Sequence, residues 1–284
     1  MGILVVTRKD NLQNSQVEIV SAGVCAANAR IALFDFDGTL SLIRSGWMEV
    51  MVPMMVEILA ETKSGESEAQ LRSVVEDFVW RRTGQDTIYQ MIELRDQVAA
   101  RGGKPLDPLV YKRMYLDRLW SRICGRVEAL RSGTASPDEY LVPGARALLE
   151  TLCQRGLRMY LASGTDEEYM RAEADLLDVS RYFAGGVYGA RDDYRSFSKG
   201  ILVERIVSSA GFRGEHLLAF GDGYVEIEEV KKVGGVAVGV ATAEPECAAV
   251  DEWKRSRLIG AGADIVIPNY LAHDELISVL FDKS

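Results

Sequence analysis

The sequence is short of the residues on which several hydrolase chemistries depend. Only two histidines occur among 284 residues, His216 and His273. No Gly-x-Ser-x-Gly segment is present either, which excludes a Ser-His-Asp hydrolase of the nucleophile-elbow type. Four cysteines, Cys25, Cys124, Cys153 and Cys247, lie far apart with no Cys-x-x-Cys pair, so neither a zinc knuckle nor a disulfide framework is legible. No Gly-x-Gly-x-x-Gly follows an apolar run, which removes dinucleotide binding. The most apolar stretch, 47–60, is broken by Glu49, Pro53 and Glu57 and falls short of the roughly 20 residues that a bilayer span needs. The first eight residues lack the basic-then-apolar build of a signal peptide. Positive charge is scarce too: 33 basic against 42 acidic residues leave a net charge of −9, the opposite of a nucleic-acid binder's basic face. The expectation is a soluble, cytoplasmic protein, a monomer or homodimer, with no nucleic-acid or membrane partner. An anionic substrate stays open, because a metal or a few local cations can invert the field inside one pocket.

What is present is ordinary globular composition, 48% hydrophobic and 26% charged, with a clear internal organisation. Residues 3–7 and 16–20 read as two short strands around a polar turn, a hairpin within an N-terminal extension over 1–30. The run Ile31-Ala32-Leu33-Phe34 is continuously apolar, as suits a strand buried on both faces of a parallel sheet. From 44 to 141 apolar residues instead recur at helical spacing, for example Met48, Met51, Val52, Met55 and Leu59. This block reads as an all-helical insertion, with the methionine stripe as packed core. After Val142-Pro143-Gly144, helices over 145–154, 167–177, 199–210 and 225–233 alternate with strands over 158–162, 186–188, 217–220 and 236–240. A strand over 265–267 and a last helix from about 274 follow. That rhythm predicts an α/β fold with a doubly wound parallel sheet, its core domain formed by 31–43 and 142–284.

The polar residues at the strand ends carry the chemistry. Asp35-Phe36-Asp37-Gly38-Thr39 follows the first core strand, where open α/β sheets bind their ligands. Two carboxylates at that spacing share a face in extended chain, crowding charge that a divalent cation or a proton must relieve. The glycine permits a tight turn that brings amides toward an anion. Ser163-Gly164-Thr165 puts a hydroxyl at the end of the next core strand, directly before a helix, where phosphate is naturally bound. Lys199 opens another helix; a cation there opposes the helix dipole, which a bound anion would explain. Gly221-Asp222-Gly223 ends a further strand, with Glu226 close behind, and acids so placed suit a hard cation.

Taken in order, these segments resemble the four motifs of the haloacid dehalogenase superfamily, over about 31–42 and 143–281, and the helical insertion resembles the cap of its phosphoglycolate phosphatase-like and β-phosphoglucomutase-like members. One departure is Glu226, where members usually carry aspartate. The resemblance implies a Mg²⁺-dependent phosphatase acting on a small phosphorylated metabolite, a phosphosugar or a phosphoglycolate-like acid. It implies that Asp35 is the nucleophile, that Asp37 is the general acid and base, and that Ser163 and Lys199 hold the phosphoryl oxygens, with Thr39 and Gly164 beside them. Asp35, Asp37, Asp222 and Glu226 are the implied metal ligands. Arg44, in the hinge segment, is the first candidate for a substrate contact; the turn Arg81-Arg82-Thr83-Gly84-Gln85 is the next, and Arg195 is the alternative cation to Lys199. A phosphomutase is the competing reading, and a non-catalytic binding module on the same scaffold the more distant one.

Overall fold

The computed structural model describes residues 16–190, 199–209 and 211–282. Its centre is β2 (Ile31–Phe34), whose four residues are all buried. It pairs in parallel with β3 (Arg158–Asp166) on one side and β5 (Leu217–Gly221) on the other, so that Leu33 stands opposite both Tyr160 and Ala219. Outward from β3 lies β4 (Gly186–Ala190), and outward from β5 lie β6 (Val236–Val240) and β7 (Ile265–Ile267), all parallel. The edge strand β1 (Glu18–Ile19) completes the order β1-β7-β6-β5-β2-β3-β4, and it alone runs antiparallel to its neighbour, β7.

The strands alternate between two cores, as a sheet covered on both faces requires. Ala32 and Phe34 pack with Leu148 and Leu152 of α5 (Ala145–Gln154), with Met170 of α6 (Glu167–Leu176) and with Leu276 and Leu280 of α10 (His273–Phe281). Ile31 and Leu33 face the opposite side. They pack with Leu202 and Ile206 of α7 (Lys199–Ser209), Ile227 and Val230 of α8 (Tyr224–Lys232), and Leu258 of α9 (Glu252–Gly260). Phe34 stacks on Phe220 of β5 with ring centroids 4.5 Å apart and planes within 6°, which ties the two strands that end at the acidic loops.

Between β2 and β3 the chain forms α1 (Met48–Ala60), α2 (Glu68–Arg82), α3 (Thr87–Ala100) and α4 (Pro108–Ser132). Their boundaries have local causes. Ser67 caps α2 in a reciprocal box with Gln70, whose Oε1 accepts from the Ser67 amide at 2.8 Å. Asp107 accepts from the Leu109 amide at 2.8 Å at the start of α4, Pro108 follows, and Gly133 at φ +70° ends the helix. Met51, Met54 and Met55 are fully buried, so the methionine stripe is packed core. Among the described residues, no helix is long and apolar enough to cross a membrane.

The strand near residue 18 is β1, paired with β7, and the other arm of the expected hairpin, residues 3–7, lies outside the described residues. One expectation is corrected: α9 occupies a stretch where the sequence pattern shows only a connection. Just one of its nine residues, Leu258, is buried, so apolar periodicity is nearly silent there; its visible signal is the cap Asp251, which accepts from the amides of Trp253 at 3.0 Å and Lys254 at 2.9 Å.

The Phe34–Phe220 stack is fully buried, with Phe183 and Tyr270 against its edges. Phe34→Ala is expected to cost about 3 to 5 kcal/mol of stability, read as a lowered midpoint in equilibrium urea unfolding; a loss below 1 kcal/mol would contradict this packing.

Candidate active site

Three strands, β2, β3 and β5, end together, and their following loops converge on one cleft of about 290 Å³. Asp35 is anchored at the end of β2 by its amide, which donates to the Phe220 carbonyl at 2.9 Å. The chain then turns sharply: the amides of Leu40 and Ser41 both donate to the Phe36 carbonyl at 2.8 Å. Gly38, at φ +74°, has no side chain to collide with the Asp222 carboxylate, which lies where a Cβ would stand. The glycine of the motif therefore lets the carboxylate after β5 approach the loop after β2.

Lys199, the first residue of α7, reaches in from the other side. Its ammonium donates to Asp35 Oδ1 at 2.6 Å and to Glu226 Oε2 at 3.1 Å, and all three side chains are buried. Glu226 Oε1 accepts from the Gly223 amide at 2.8 Å. Asp35, Asp222 and Glu226 place carboxylate oxygens within 4.8 Å of one another. Burial, helped by Glu226 and Asp222, pushes the Asp35 carboxyl well above the usual range, against the pull of Lys199. Lys199 is held in its charged form by Asp35 and Glu226 despite its burial. With Lys254 set against Asp222 at 2.9 Å and Glu244 at 3.0 Å, two lysines face the four carboxylates of Asp35, Asp222, Glu226 and Glu244, a charge imbalance that a divalent cation would relieve.

Asp37 faces the cleft. Its Oδ2 accepts from Ser163 Oγ at 3.2 Å and from Thr165 Oγ1 at 2.8 Å, while Oδ1 is buried without a hydrogen-bond partner. Ser163 Oγ also accepts from the Thr165 amide at 3.0 Å. Arg44 lines the cleft, but its guanidinium is turned to Glu173 of α6 at 2.7–3.1 Å, with Asp37 Oδ1 3.9 Å from Nε. Gly164 lines the cleft as well, whereas Thr39 is fully buried beneath the loop and is not part of the cleft wall. Arg81 and Arg82 point elsewhere, paired with Asp77 and Glu93 at 3.0 Å each, and neither lines the cleft. Arg195 lies outside the described residues.

The turn between α2 and α3 closes over these loops. Gly84, at φ +91°, packs on the backbone of Gly223, and Gly164 packs under the Gln85 carbonyl so closely that any Cβ there would collide. Tyr224 Oη donates to the Arg81 carbonyl at 3.0 Å and accepts from Gln85 Nε2 at 3.2 Å. Arg257 donates to the Trp80 carbonyl, and the Trp80 and Trp253 rings approach to 4.0 Å between centroids.

The matching family model, that of haloacid dehalogenase-like hydrolases, covers residues 29–234. The chain belongs to the haloacid dehalogenase-like hydrolases. Solved structures of similar fold include a predicted phosphoglycolate phosphatase from Haemophilus somnus, at 13% identity over 88% of this chain and 98% of that one, with a TM-score of 0.56. A phosphonoacetaldehyde hydrolase-like protein from Oleispira antarctica matches at 14% identity over 90% and 93%, with a TM-score of 0.57. A protein assigned as a β-phosphoglucomutase from Bacteroides vulgatus matches at 14% identity over 89% and 91%, with a TM-score of 0.54. No curated protein matches the sequence.

Three polar residues of this haloacid dehalogenase-like hydrolase escape a motif-based reading. Lys254 of α9 donates to Asp222 Oδ2 at 2.9 Å and to Glu244 Oε1 at 3.0 Å, and these two acids keep it charged although it is buried. Glu173, the partner of Arg44, lies on a helix whose sequence marks it only as a polar position. Asp86, at the N-cap of α3, is buried with Oδ2 unpartnered.

Asp86 supplies a pH signature. Burial pushes its carboxyl up to about 6, opposed in part by Lys199 and Lys112. Because the folded carboxyl holds its proton to higher pH than the unfolded one, its contribution to stability is complete below about pH 4 and is lost as the pH rises through about 6. Asp86→Asn, which needs no ionisation, should therefore raise stability at pH 7.5 by about 1 to 3 kcal/mol and leave it nearly unchanged at pH 4. Urea unfolding at both pH values checks this, and an equal effect at both would refute it.

Proposed function

We propose that this hydrolase is a Mg²⁺-dependent phosphatase of a small phosphorylated metabolite, working through an aspartyl-phosphate on Asp35. The observation that carries the reading is the buried Lys199–Asp35 contact at 2.6 Å, facing Asp37 on its Ser163 and Thr165 hydroxyls across one cleft. The clustered carboxylates suit an oxygen-preferring cation. Asp35, the Asp37 carbonyl and Asp222 would hold it. Glu226 already has a protein partner on each oxygen and acts by fixing Lys199. When bound, Mg²⁺ supplies positive charge against the phosphoryl oxygens and the acids around them.

The protein's own groups then have distinct tasks. The Asp35 carboxylate attacks phosphorus as the ester oxygen departs, and Asp37 gives that oxygen its proton. Lys199 and Ser163 hold the phosphoryl oxygens as charge shifts between them. Asp37, now a base, takes a proton from water as the water oxygen attacks phosphorus, which releases phosphate and restores Asp35. Residues 44–141 act as a cap on the core formed by 31–43 and 142–284, and the packing of Gly84 on Gly223 favours a shut, water-poor state during the first transfer. The same closure favours a phosphomutase as the second reading, in which the phosphoryl group returns to the substrate before water enters. Phosphate release measured against isomer formation separates the two.

Three outcomes are expected. Phosphate release from a panel of phosphorylated metabolites should vanish in excess chelator and return with Mg²⁺; full turnover in chelator would sink the site. Asp35→Asn should abolish turnover of every ester. Asp37→Asn should nearly abolish turnover of alkyl esters yet still pass an acidic phenol out of an aryl phosphate in a burst, because such a phenol needs little help in leaving. Rapid-quench mass spectrometry should then find phosphate on Asp35, and equal slowing of both ester types with no phosphoenzyme would remove Asp37 from the acid–base role.

A further inference from the structure

Among the described residues, the cations around the cleft are already committed. They are Arg44, Lys199 and Lys254. Arg44 makes three contacts of 2.7–3.1 Å to the buried Glu173. Lys199 is shared by Asp35 and Glu226, and Lys254 by Asp222 and Glu244. To serve a second anion on the substrate, any of them would have to leave a buried carboxylate uncompensated, which is strongly unfavourable. The cleft's other charged groups are acids: Glu244 and Asp251 line it in addition to the carboxylates at the strand ends, and Glu49 at its rim is exposed and paired with Arg122 at 2.6 Å. Away from those acids the wall carries no charge among the described residues: Trp47, Met48, Trp80 and Tyr115 are its aromatic and apolar members, and Thr83, Gln85, Thr87 and Gln90 its uncharged polar ones.

We infer that the ester's alcohol portion is uncharged and presents a ring or other flat apolar face, and that alcohol portions carrying a carboxylate or a second phosphate are rejected. The inference rests on the phosphatase reading and narrows it: of the two classes expected from the sequence, it keeps the phosphosugar and discards the phosphoglycolate-like acid. Discrimination of this kind comes from the buried carboxylates, which repel an anion that no free cation among the described residues offsets. Trp47 and Trp80 would meet the face of the ring.

Matched ester pairs test this on the full-length protein with Mg²⁺: phenyl phosphate against 4-carboxyphenyl phosphate, and glucose 6-phosphate against glucose 1,6-bisphosphate. The uncharged member of each pair should lead in kcat/KM by about tenfold or more, although the carboxylated phenol is no worse a leaving group. Equal or better kcat/KM for the charged members overturns the assigned class while leaving the phosphatase reading intact. Absence of release from all four with release from phosphoglycolate overturns the class alone; absence of release from the whole metabolite panel defeats the phosphatase reading and the class with it. Glu173→Gln frees Arg44 toward the cleft and should raise the charged-to-uncharged ratio by about tenfold. An unchanged ratio in a variant with native circular dichroism overturns the argument from committed cations, and the native-protein panel stands whether or not that variant folds.

Discussion

A surplus of carboxylate, buried where three parallel strands end, is the constraint around which the rest of the molecule is arranged. Six acids and three cations line the cleft among the described residues. Water screens the buried ones, Asp35 with its partners Lys199 and Glu226, poorly, and an isolated buried carboxylate is costly. Each cation therefore has a fixed address. Lys199 stands between Asp35 and Glu226, Lys254 between Asp222 and Glu244, and Arg44 against Glu173 beside Asp37. These pairs are worth little as net stabilisation, since desolvation offsets much of their attraction. Their consequence is positional: they hold these groups at set distances and, among the described residues, leave the site short of positive charge.

The two-sided core makes such positioning affordable in a chain of this size. Phe34 and Phe220 lock β2 to β5, and the helices on either face fix the register in which Asp35, Ser163 and Asp222 reach the same end of the sheet. Glycines do the remaining local work. At Gly38 a turn and the close approach of Asp222 coincide, and at Gly84 a positive φ coincides with backbone packing against Gly223. The helical block then contributes Trp47, Trp80, Gln85 and Gln90 to the opposite wall of the cleft.

Much of this could be read along the chain. The unbroken run 31–34 announces a strand buried on both faces, because no alternation of polar residues interrupts it. The acid-rich turn after it, the hydroxyl at Ser163, Lys199 and the Gly221-Asp222 pair each follow or precede a regular element, so local pattern was enough to mark them. The helical block was legible for the same reason, since its apolar residues recur at helical spacing. Helix α9 was not, because a nine-residue helix that buries one side chain leaves almost no periodic trace.

The partnerships are another matter. Arg44 and Glu173 are 129 residues apart, and Lys254 and Asp222 are 32 apart on different elements. Nothing local distinguishes these charges from solvated ones, and the sequence offers Arg44 as readily to a substrate as to a neighbour. Residue order alone determined the sheet, the helical insertion and the set of polar groups at the strand ends, because backbone pattern and strand-end placement are local properties. Which of those groups is buried, which cation is already neutralised, and hence which charges remain for a ligand, only the tertiary structure decided, because burial and pairing depend on the distance between elements that the chain brings together after they form.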